Sequence, residues 1–322
     1  MEAQLSHQTD ISNGAKIKNR NKKGVLKKVK RSWQLYVLVS LAFLSIFIFS
    51  YIPMYGVVIA FQNFSAARGI WNSQWVGLEH FRVFYNSFLF WDLIRNTFLL
   101  SFWGTVWGFP IPIMLALAFN EARSGFFKKF TQTVSYAPNF ISVVVMSGMV
   151  IAFLSPSVGI INTLLGFVGI GPINFLAEPG WFRTVFITSG IWQGMGWGSI
   201  IYLAALSAVD PTLHEAAIID GASRLQRIWH INLPTIKPTI VILLILNIGG
   251  LMSVGFERVL LLQNDLNLST SRIIATYIYD VGILGGRFSF AAAVGMFNSL
   301  INSILLIIAN QFSKKVGEAS LW

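Results

Sequence analysis

Six long stretches of this chain contain no charged side chain, and this feature constrains the fold most. The first, Trp33–Ile52, is long enough as a helix to cross the roughly 30 Å hydrocarbon core of a bilayer. Overall, 54% of the residues are hydrophobic and 11% are charged, unlike soluble domains. The sequence therefore predicts an all-α membrane protein with six transmembrane helices near residues 33–52, 97–119, 131–154, 184–208, 239–256 and 288–312.

Basic residues are concentrated ahead of the first span, between Lys16 and Arg31. A cluster in this place is typical of a cytoplasmic membrane flank that contacts anionic lipid headgroups, and not of a nucleic-acid site. We therefore expect a basic cytoplasmic segment at 1–31, a six-span domain at 32–313 and a cytoplasmic tail at 314–322. The expected location is the cytoplasmic (inner) membrane of a bacterium, with both termini in the cytoplasm.

The number of spans depends on one uncharged region, 130–177, which is long enough for two crossings. Its second half, 158–176, holds several glycines together with Asn162, Pro172 and Asn174, which exposure to lipid would penalise. With six or with seven spans, most Lys and Arg residues fall on the cytoplasmic side. The distribution of positive charge therefore does not decide between the two span counts. Residue chemistry therefore favours six spans, with 158–176 as a re-entrant or an interfacial segment.

The longest polar interval in the second half of the chain is 212–234, which reads TLHEAAIIDGASRLQRIWHINLP. Its first helix carries small alanines that permit close approach of another protein. Gly221 then allows a sharp turn, and a second helix over Ser223–His230 is expected to end at Pro234 and Pro238, which lead into the fifth span. The interval thus predicts a helical hairpin that docks a partner.

This hairpin resembles the EAA loop of ABC importer permeases of the binding-protein-dependent sugar class. The resemblance rests on Glu215-Ala216-Ala217, Asp220-Gly221-Ala222 and Ile231-Asn232-Leu233-Pro234. Over residues 30–322 it is closest to permeases for complex oligosaccharides, including the lipoprotein-linked and the alginate or pectin-fragment systems. It implies the type I ABC importer permease fold, in which the hairpin is a cytoplasmic coupling helix seated on a separate ATPase.

The resemblance also implies roles and partners. Glu215 would make a charged contact to the ATPase, Ala216 and Ala217 would form the closely packed face, and Gly221 would form the bend. The implied partners are a second homologous permease subunit, two ATPase subunits that carry ATP and Mg, an extracytoplasmic solute-binding protein and an oligosaccharide substrate. This chain contains no GxxxxGK[ST] phosphate loop, so ATP hydrolysis is expected on the partner subunits. The other residues that the resemblance places in the coupling to the ATPase are Asp220, Leu233 and Pro234.

Polar and aromatic side chains inside the predicted spans are candidates for the substrate pathway, because aromatic faces and amides bind sugars. For each of them, a hydrogen bond or packing contact between helices is the alternative role. Glycine pairs spaced four apart, such as Gly190 and Gly194, are expected to serve close helix packing. The pathway candidates are Trp192, Gln193, Trp197, Asn247, Asn298 and Asn302.

Other classes of function have less support. An ion-coupled secondary transporter needs ionisable residues or paired repeats within its spans, which here carry almost no charge. An intramembrane enzyme needs a catalytic set. The chain has no cysteine, and the HExxH-like start at His214-Glu215 has Ile218 where the second zinc ligand would stand. We therefore expect no catalytic residue, metal site or cofactor on this chain.

Overall fold

The structure is a computed structural model that describes residues 31–315. The predictions for the basic segment before residue 31 and for the tail after residue 315 therefore lie outside the described residues. The chain divides into two compact units, with the boundary between Val58 and Ile59. Apart from one two-stranded hairpin, the regular secondary structure of the described part is helical.

The described part of the first unit is a helical run. Helix α1 covers Trp33–Ile46 and continues through a π-helical segment, Phe47–Tyr51, into α2 at Ile52–Met54. A 3₁₀ segment, Tyr55–Phe61, follows and crosses the unit boundary. The run Trp33–Phe61 contains an 18-residue window with a mean hydropathy of 2.3, which makes the run long and apolar enough to cross a membrane.

The second unit begins with a short antiparallel hairpin. Strand β1 (Gln62–Asn63) pairs with β2 (Gln74–Trp75), and Gln62 lies opposite Trp75. A 3₁₀ segment covers Ala137–Phe140, and π-helical segments cover Ile228–Asn232 and Tyr279–Leu284. The helices are α3 (Glu79–Tyr85), α4 (Phe90–Gly108), α5 (Pro110–Glu121), α6 (Phe126–Tyr136), α7 (Val143–Leu154), α8 (Ile160–Phe167), α9 (Pro179–Leu206), α10 (Pro211–Ile219), α11 (Arg224–Arg227), α12 (Leu233–Gly249), α13 (Phe256–Leu262), α14 (Leu268–Ser271), α15 (Ile274–Ile278) and α16 (Phe288–Lys315).

Within the described residues, four helical runs are long and apolar enough to cross a membrane, or five if the bent pair α6–α7 forms one span. Helix α9 is also long, at 28 residues or about 42 Å. It is less apolar than the four runs because it carries glycine, serine and glutamine, and several of these residues are buried inside the protein. The four runs are Trp33–Phe61, Phe90–Glu121, Arg224–Gly249 and Phe288–Lys315.

The third predicted span, 131–154, is not one straight helix. The helical runs Phe126–Phe140 and Val143–Leu154 meet at 104°. Pro138 lies in the 3₁₀ segment, and the hydroxyl of Ser142 then caps α7 by accepting a hydrogen bond from the backbone of Val145 at 3.3 Å. A proline followed by a capping serine interrupts the run, and an absence of charge does not reveal such a break.

The fifth predicted span, 239–256, was wrong at both ends. Helix α11, the π-helical segment and α12 form one continuous run, so neither Pro234 nor Pro238 ends a helix. Pro234 lies in the first turn of α12, while Pro238 lies inside the helix, where it cannot donate to the carbonyl one turn earlier. The run stops before residues 250–255, which are not helical, and does not continue to Phe256.

The region 158–176 contains only the eight-residue helix α8, which is about 12 Å long and covers less than half of the hydrocarbon thickness. Asn162 fixes this segment against the end of α7. Its side-chain NH₂ donates to the carbonyls of Leu154 (3.1 Å), Ser155 (3.1 Å) and Ile173 (3.0 Å). Its carbonyl oxygen accepts from the backbone N–H of Ile173 at 2.8 Å. The polar groups around Asn162 are therefore satisfied within the protein.

Helix α9 is the central helix of the second unit and packs against α4, α5, α6 and α12. Near its start, Phe182 and Phe186 belong to one cluster of buried residues, and near its end Tyr202 and Leu206 belong to another. Both ends of α9 are thus fixed by apolar packing. The stretch between them is rich in glycine and forms part of the cavity described below.

Candidate functional sites

The interval 212–234, where the sequence predicts a hairpin, contains two helices joined by a tight turn, α10 and α11, which we call the hairpin. Asp210 begins α10, because its carboxylate accepts a hydrogen bond from the backbone N–H of Thr212 at 2.9 Å. This bond lowers the pKa of Asp210. A lowered pKa means that the bond stabilises the folded hairpin at neutral pH and that this contribution is lost as the pH falls through the lowered pKa.

The turn after α10 has the geometry of a glycine-terminated helix. Gly221 has a φ of 78°, in the left-handed region that favours glycine. Its N–H donates to the carbonyl of Ile218 at 3.0 Å, and the N–H of Ala222 donates to the carbonyl of Ala217 at 2.8 Å. These two bonds form a Schellman motif. Ser223 and Gln226 then form a capping box that starts α11.

Much of the hairpin surface is exposed and is not covered by other parts of the described chain. No residue of α10 is buried. Glu215, Ala216, Asp220, Gly221 and Pro234 are exposed, whereas Ala217 and Leu233 are half-buried. Large apolar side chains are exposed beside them, and Ile219 at the end of α10 has 85% of its surface accessible. An exposed patch of this kind is typical of a protein interface. Its other apolar members are Leu213, Ile218, Leu225 and Trp229.

The base of the hairpin is joined to the end of α5 by polar contacts. Arg227, the last residue of α11, lies 3.8 Å from Glu121, the last residue of α5, and both side chains are less than one-fifth exposed. The side-chain NH₂ of Asn232, which is fully buried, donates to the other carboxylate oxygen of Glu121 at 3.3 Å. We call these three residues the base cluster. They connect the hairpin directly to a long apolar helical run.

A second site is an open cavity of about 640 Å³ in the second unit. Its walls come from the adjoining halves of α4 and α5, the middle of α9, the end of α12, and the non-helical segment 250–255 with the start of α13. Five glycines of α4 and α9 line it. Few polar side chains lie on the wall, namely Ser101, Thr105, Tyr202, Asn247, Ser253 and Arg258.

The glycines of this wall do not all serve helix packing, contrary to the sequence-based expectation. A methyl group on Gly198 would lie 3.3 Å from Pro112, and one on Gly108 would lie 3.7 Å from Ile191, so these two glycines do pack closely. In contrast, a methyl group on Gly104 or Gly194 would have no neighbour within 4 Å. Part of the glycine surface therefore faces open space in the cavity.

Of the six pathway candidates, only Asn247 lines the cavity, where its carbonyl oxygen accepts from the hydroxyl of Thr105 at 2.7 Å. Gln193 is buried behind the wall. Asn298 and Asn302 bind the segment after α12: their amides donate to Met252 and Ser253 respectively, and the Asn302 carbonyl accepts from the backbone of Met252 at 2.8 Å. The two remaining candidates, Trp192 and Trp197, do not line the cavity.

Sequence reasoning missed Arg258, the charged residue of the cavity wall. It follows the fifth predicted span closely, so it reads in the sequence as an ordinary charge at the start of a loop. The non-helical segment 250–255 turns the chain so that Arg258 reaches the cavity. The signal that was available is the glycine content in and beside that segment, with Gly249, Gly250 and Gly255 inside an apolar run.

Comparison with known proteins gives consistent matches. A family described as "Binding-protein-dependent transport system inner membrane component" matches residues 108–318. The polygalacturonan/rhamnogalacturonan transport system permease protein YteP of Bacillus subtilis (strain 168) is 43% identical over 306 residues, which are 95% of each chain. Protein LplB of the same organism is 42% identical and covers 91% of this chain and 92% of LplB.

Two crystal structures are similar along most of the chain. One is a bacterial ABC transporter involved in the import of the acidic polysaccharide alginate. A chain of it has a TM-score of 0.83 and 40% identity, covering 91% of this chain and 99% of that one. The other is a bacterial alginate ABC transporter in complex with an alginate pentasaccharide-bound periplasmic protein. A chain of it has a TM-score of 0.83 and 39% identity, covering 92% of this chain and 99% of that one.

Proposed function

Since this chain belongs to the family of binding-protein-dependent transport system inner membrane components and is the permease subunit of an ABC importer for sugars or oligosaccharides, we propose how it performs that task. It pairs with a second homologous permease, two ATPase subunits that bind ATP and Mg, and an extracytoplasmic solute-binding protein. ATP binding closes the ATPase subunits, and the hairpin converts that movement into alternating access of the cavity.

The chain crosses the membrane six times, with both termini in the cytoplasm. The four long apolar runs, the bent pair α6–α7 and helix α9 provide the six spans, and the start of the run Arg224–Gly249 belongs to the cytoplasmic hairpin. Helix α8 does not cross, because about 12 Å is too short. In this arrangement the hairpin and the loop between α5 and α6 lie in the cytoplasm, where an ATPase can reach them. The loops before α4, after α7 and after α13 lie outside.

Labelling of single cysteines tests this topology directly, because the chain has no native cysteine. In right-side-out vesicles, a membrane-impermeant maleimide should label cysteines placed in the outer loops, and should label those in the cytoplasmic loops only after permeabilisation. Labelling of Arg224→Cys from outside would contradict six spans and favour seven. The exposed outer positions are Asn72, Ser157 and Asp265, and the exposed cytoplasmic positions are Ser124 and Arg224.

Contact between the hairpin and an ATPase is supported by the exposed apolar patch on a polar hairpin. Glu215 stands on the exposed side of α10 and is available for a charged contact. The side chains of Ala216 and Ala217 are small, so a partner can approach the backbone of α10 closely. The chain has no phosphate loop of its own, which makes the energy source a separate polypeptide.

The substrate is an acidic oligosaccharide that passes through the open cavity. The single observation that carries this proposal is a cavity of about 640 Å³ whose few polar groups include an arginine but, among the residues described, no aspartate or glutamate. The relatives agree in chemistry: one carries the name of a polygalacturonan/rhamnogalacturonan permease, and the similar crystal structures are of importers of the acidic polysaccharide alginate. A cavity of this size suits a few sugar units.

Uptake by the complete importer tests this function. The complex is placed in proteoliposomes with Mg-ATP on the ATPase side, and labelled oligogalacturonate or alginate oligomers are supplied with the binding protein. Uptake should require ATP and the binding protein, and it should persist when ion gradients are dissipated. Uptake that follows an ion gradient without ATP would instead indicate an ion-coupled secondary transporter.

A further inference from the structure

Arg258 is the charged side chain on the cavity wall within the described residues. It lies in the first turn of α13, directly after the non-helical segment 250–255. In a membrane protein, a cation away from water is costly, and such residues usually mark the path of a substrate or ion. Arg258 therefore requires an explanation that a surface arginine would not.

The side chain of Arg258 is fixed in place by α9. One terminal nitrogen, Nη2, donates to the carbonyl oxygen of Gln193, whose NH₂ group donates in turn to the backbone carbonyl of Ile141 at 2.8 Å. The guanidinium lies 5.8 Å from the ring centre of Phe186. A methyl group on Gly190 would collide with Nη1, so this glycine makes the room that the guanidinium occupies.

The charge of Arg258 has no counter-ion in the part of the chain that the structure describes. No carboxylate lies within 4.0 Å of it there. Its Nε is buried and has no hydrogen-bond partner. A guanidinium has five N–H donors in a planar fork that matches a carboxylate, and most of these donors are unused. The arrangement is a positioned cation with free donors beside open space.

We infer that Arg258 binds a carboxylate group of the acidic oligosaccharide in the cavity, with Gln193 and Gly190 as the residues that position the guanidinium. The inference rests on the proposed function and deepens it, because it assigns recognition of the acid group to one side chain. Sugar hydroxyls have nearby partners in Thr105 and Asn247. Selectivity for acidic over neutral saccharides would then reside partly in the permease itself.

The experiment compares Arg258→Gln with Arg258→Lys in the complete importer in proteoliposomes. Initial uptake is measured for tetragalacturonate and for its methyl ester, which has the same sugar units without the charges. Each rate is divided by the wild-type rate for the same compound, so that the preference of the binding protein cancels. We expect Arg258→Gln to lower tetragalacturonate uptake at least tenfold and ester uptake less than twofold, with Arg258→Lys in between.

Arg183→Gln is the matched control, since Arg183 is also half-buried in the second unit but is held by Asn96 and does not line the cavity. It should leave the ratio of acid to ester uptake unchanged. Equal losses for acid and ester in Arg258→Gln, or no loss at all, would overturn the inference. If the wild type accepts only the acid form, equal losses in the Gln and Lys variants would overturn it. Wild-type import of neutral oligosaccharides alone would instead contradict the proposed acidic substrate.

Discussion

Replacing Gly221 with valine is expected to lower oligosaccharide uptake by the complete importer about tenfold or more. Gly221 holds a φ of 78° in the turn between α10 and α11. A side chain there would meet no atom within 4 Å, so the effect comes from backbone strain and not from a collision. That strain is about 1–2 kcal/mol for an ordinary residue and greater for a β-branched one, and 1.4 kcal/mol is a factor of ten.

The control for this variant is Gly221→Asn, because asparagine adopts the left-handed conformation more readily than other residues with a side chain. We expect its uptake to remain close to wild type. The amount of subunit in the membrane and the ATPase activity without substrate should be similar in both variants, whereas stimulation of ATP hydrolysis by the loaded binding protein should be lost with valine. Wild-type uptake in Gly221→Val would show that the turn is not needed for coupling.

Reversing one charge of the base cluster is also expected to lower oligosaccharide uptake strongly. Glu121→Arg or Arg227→Glu would leave a like-charged pair where both side chains are now less than one-fifth exposed. Removing one partner of a buried ion pair costs about 3–5 kcal/mol. The contact between the hairpin and α5 should then open, so uptake should fall at least tenfold while ATP hydrolysis by the ATPase subunits continues. The quantity to measure is the number of sugars imported per ATP.

The exchanged pair Glu121→Arg with Arg227→Glu separates a coupling role from a general loss of stability. It restores opposite charges across the same contact, and we expect it to recover a substantial part of the uptake. Glu121→Gln is a milder control, since its side-chain carbonyl can still accept from Asn232. If the exchanged pair is as inactive as either single variant, the ion pair is not the element that transmits movement.

The helical character and the approximate positions of most spans could be predicted from the sequence, because an uncharged run of sufficient length has few alternatives in a bilayer. The residues at which helices end were harder to predict from the sequence. Pro234 and Pro238 are usual helix-ending signals, yet the helical run continues through both, with Pro234 in the first turn of α12 and Pro238 inside it. Pro138 and Ser142 show the opposite case, since they break a run that looks continuous when only charge is considered.

The two sites differ in how far the sequence could predict them. The hairpin is local: its cap, its glycine turn and its second cap lie within a short interval, and each has a recognisable residue. The cavity is not local, because its wall combines three stretches that are far apart in the sequence. Intramembrane amides such as Gln193 and Asn302 looked like substrate ligands, but tertiary packing uses them to hold Arg258 and the segment after α12. Which polar group faces the cavity depends on those contacts.

The π-helical segment at Ile228–Asn232 has a consequence for the angular phase of the long run that contains it. An α-helix advances about 100° per residue, and a wider π turn absorbs extra sequence without ending the helix. The π-helical segment therefore changes the angle between the face that points Arg227 at Glu121 and the face that α12 presents further along. One continuous helix can thus contact α5 through Arg227 at its base and still present, in its membrane half, a face that an uninterrupted α-helix would turn in another direction.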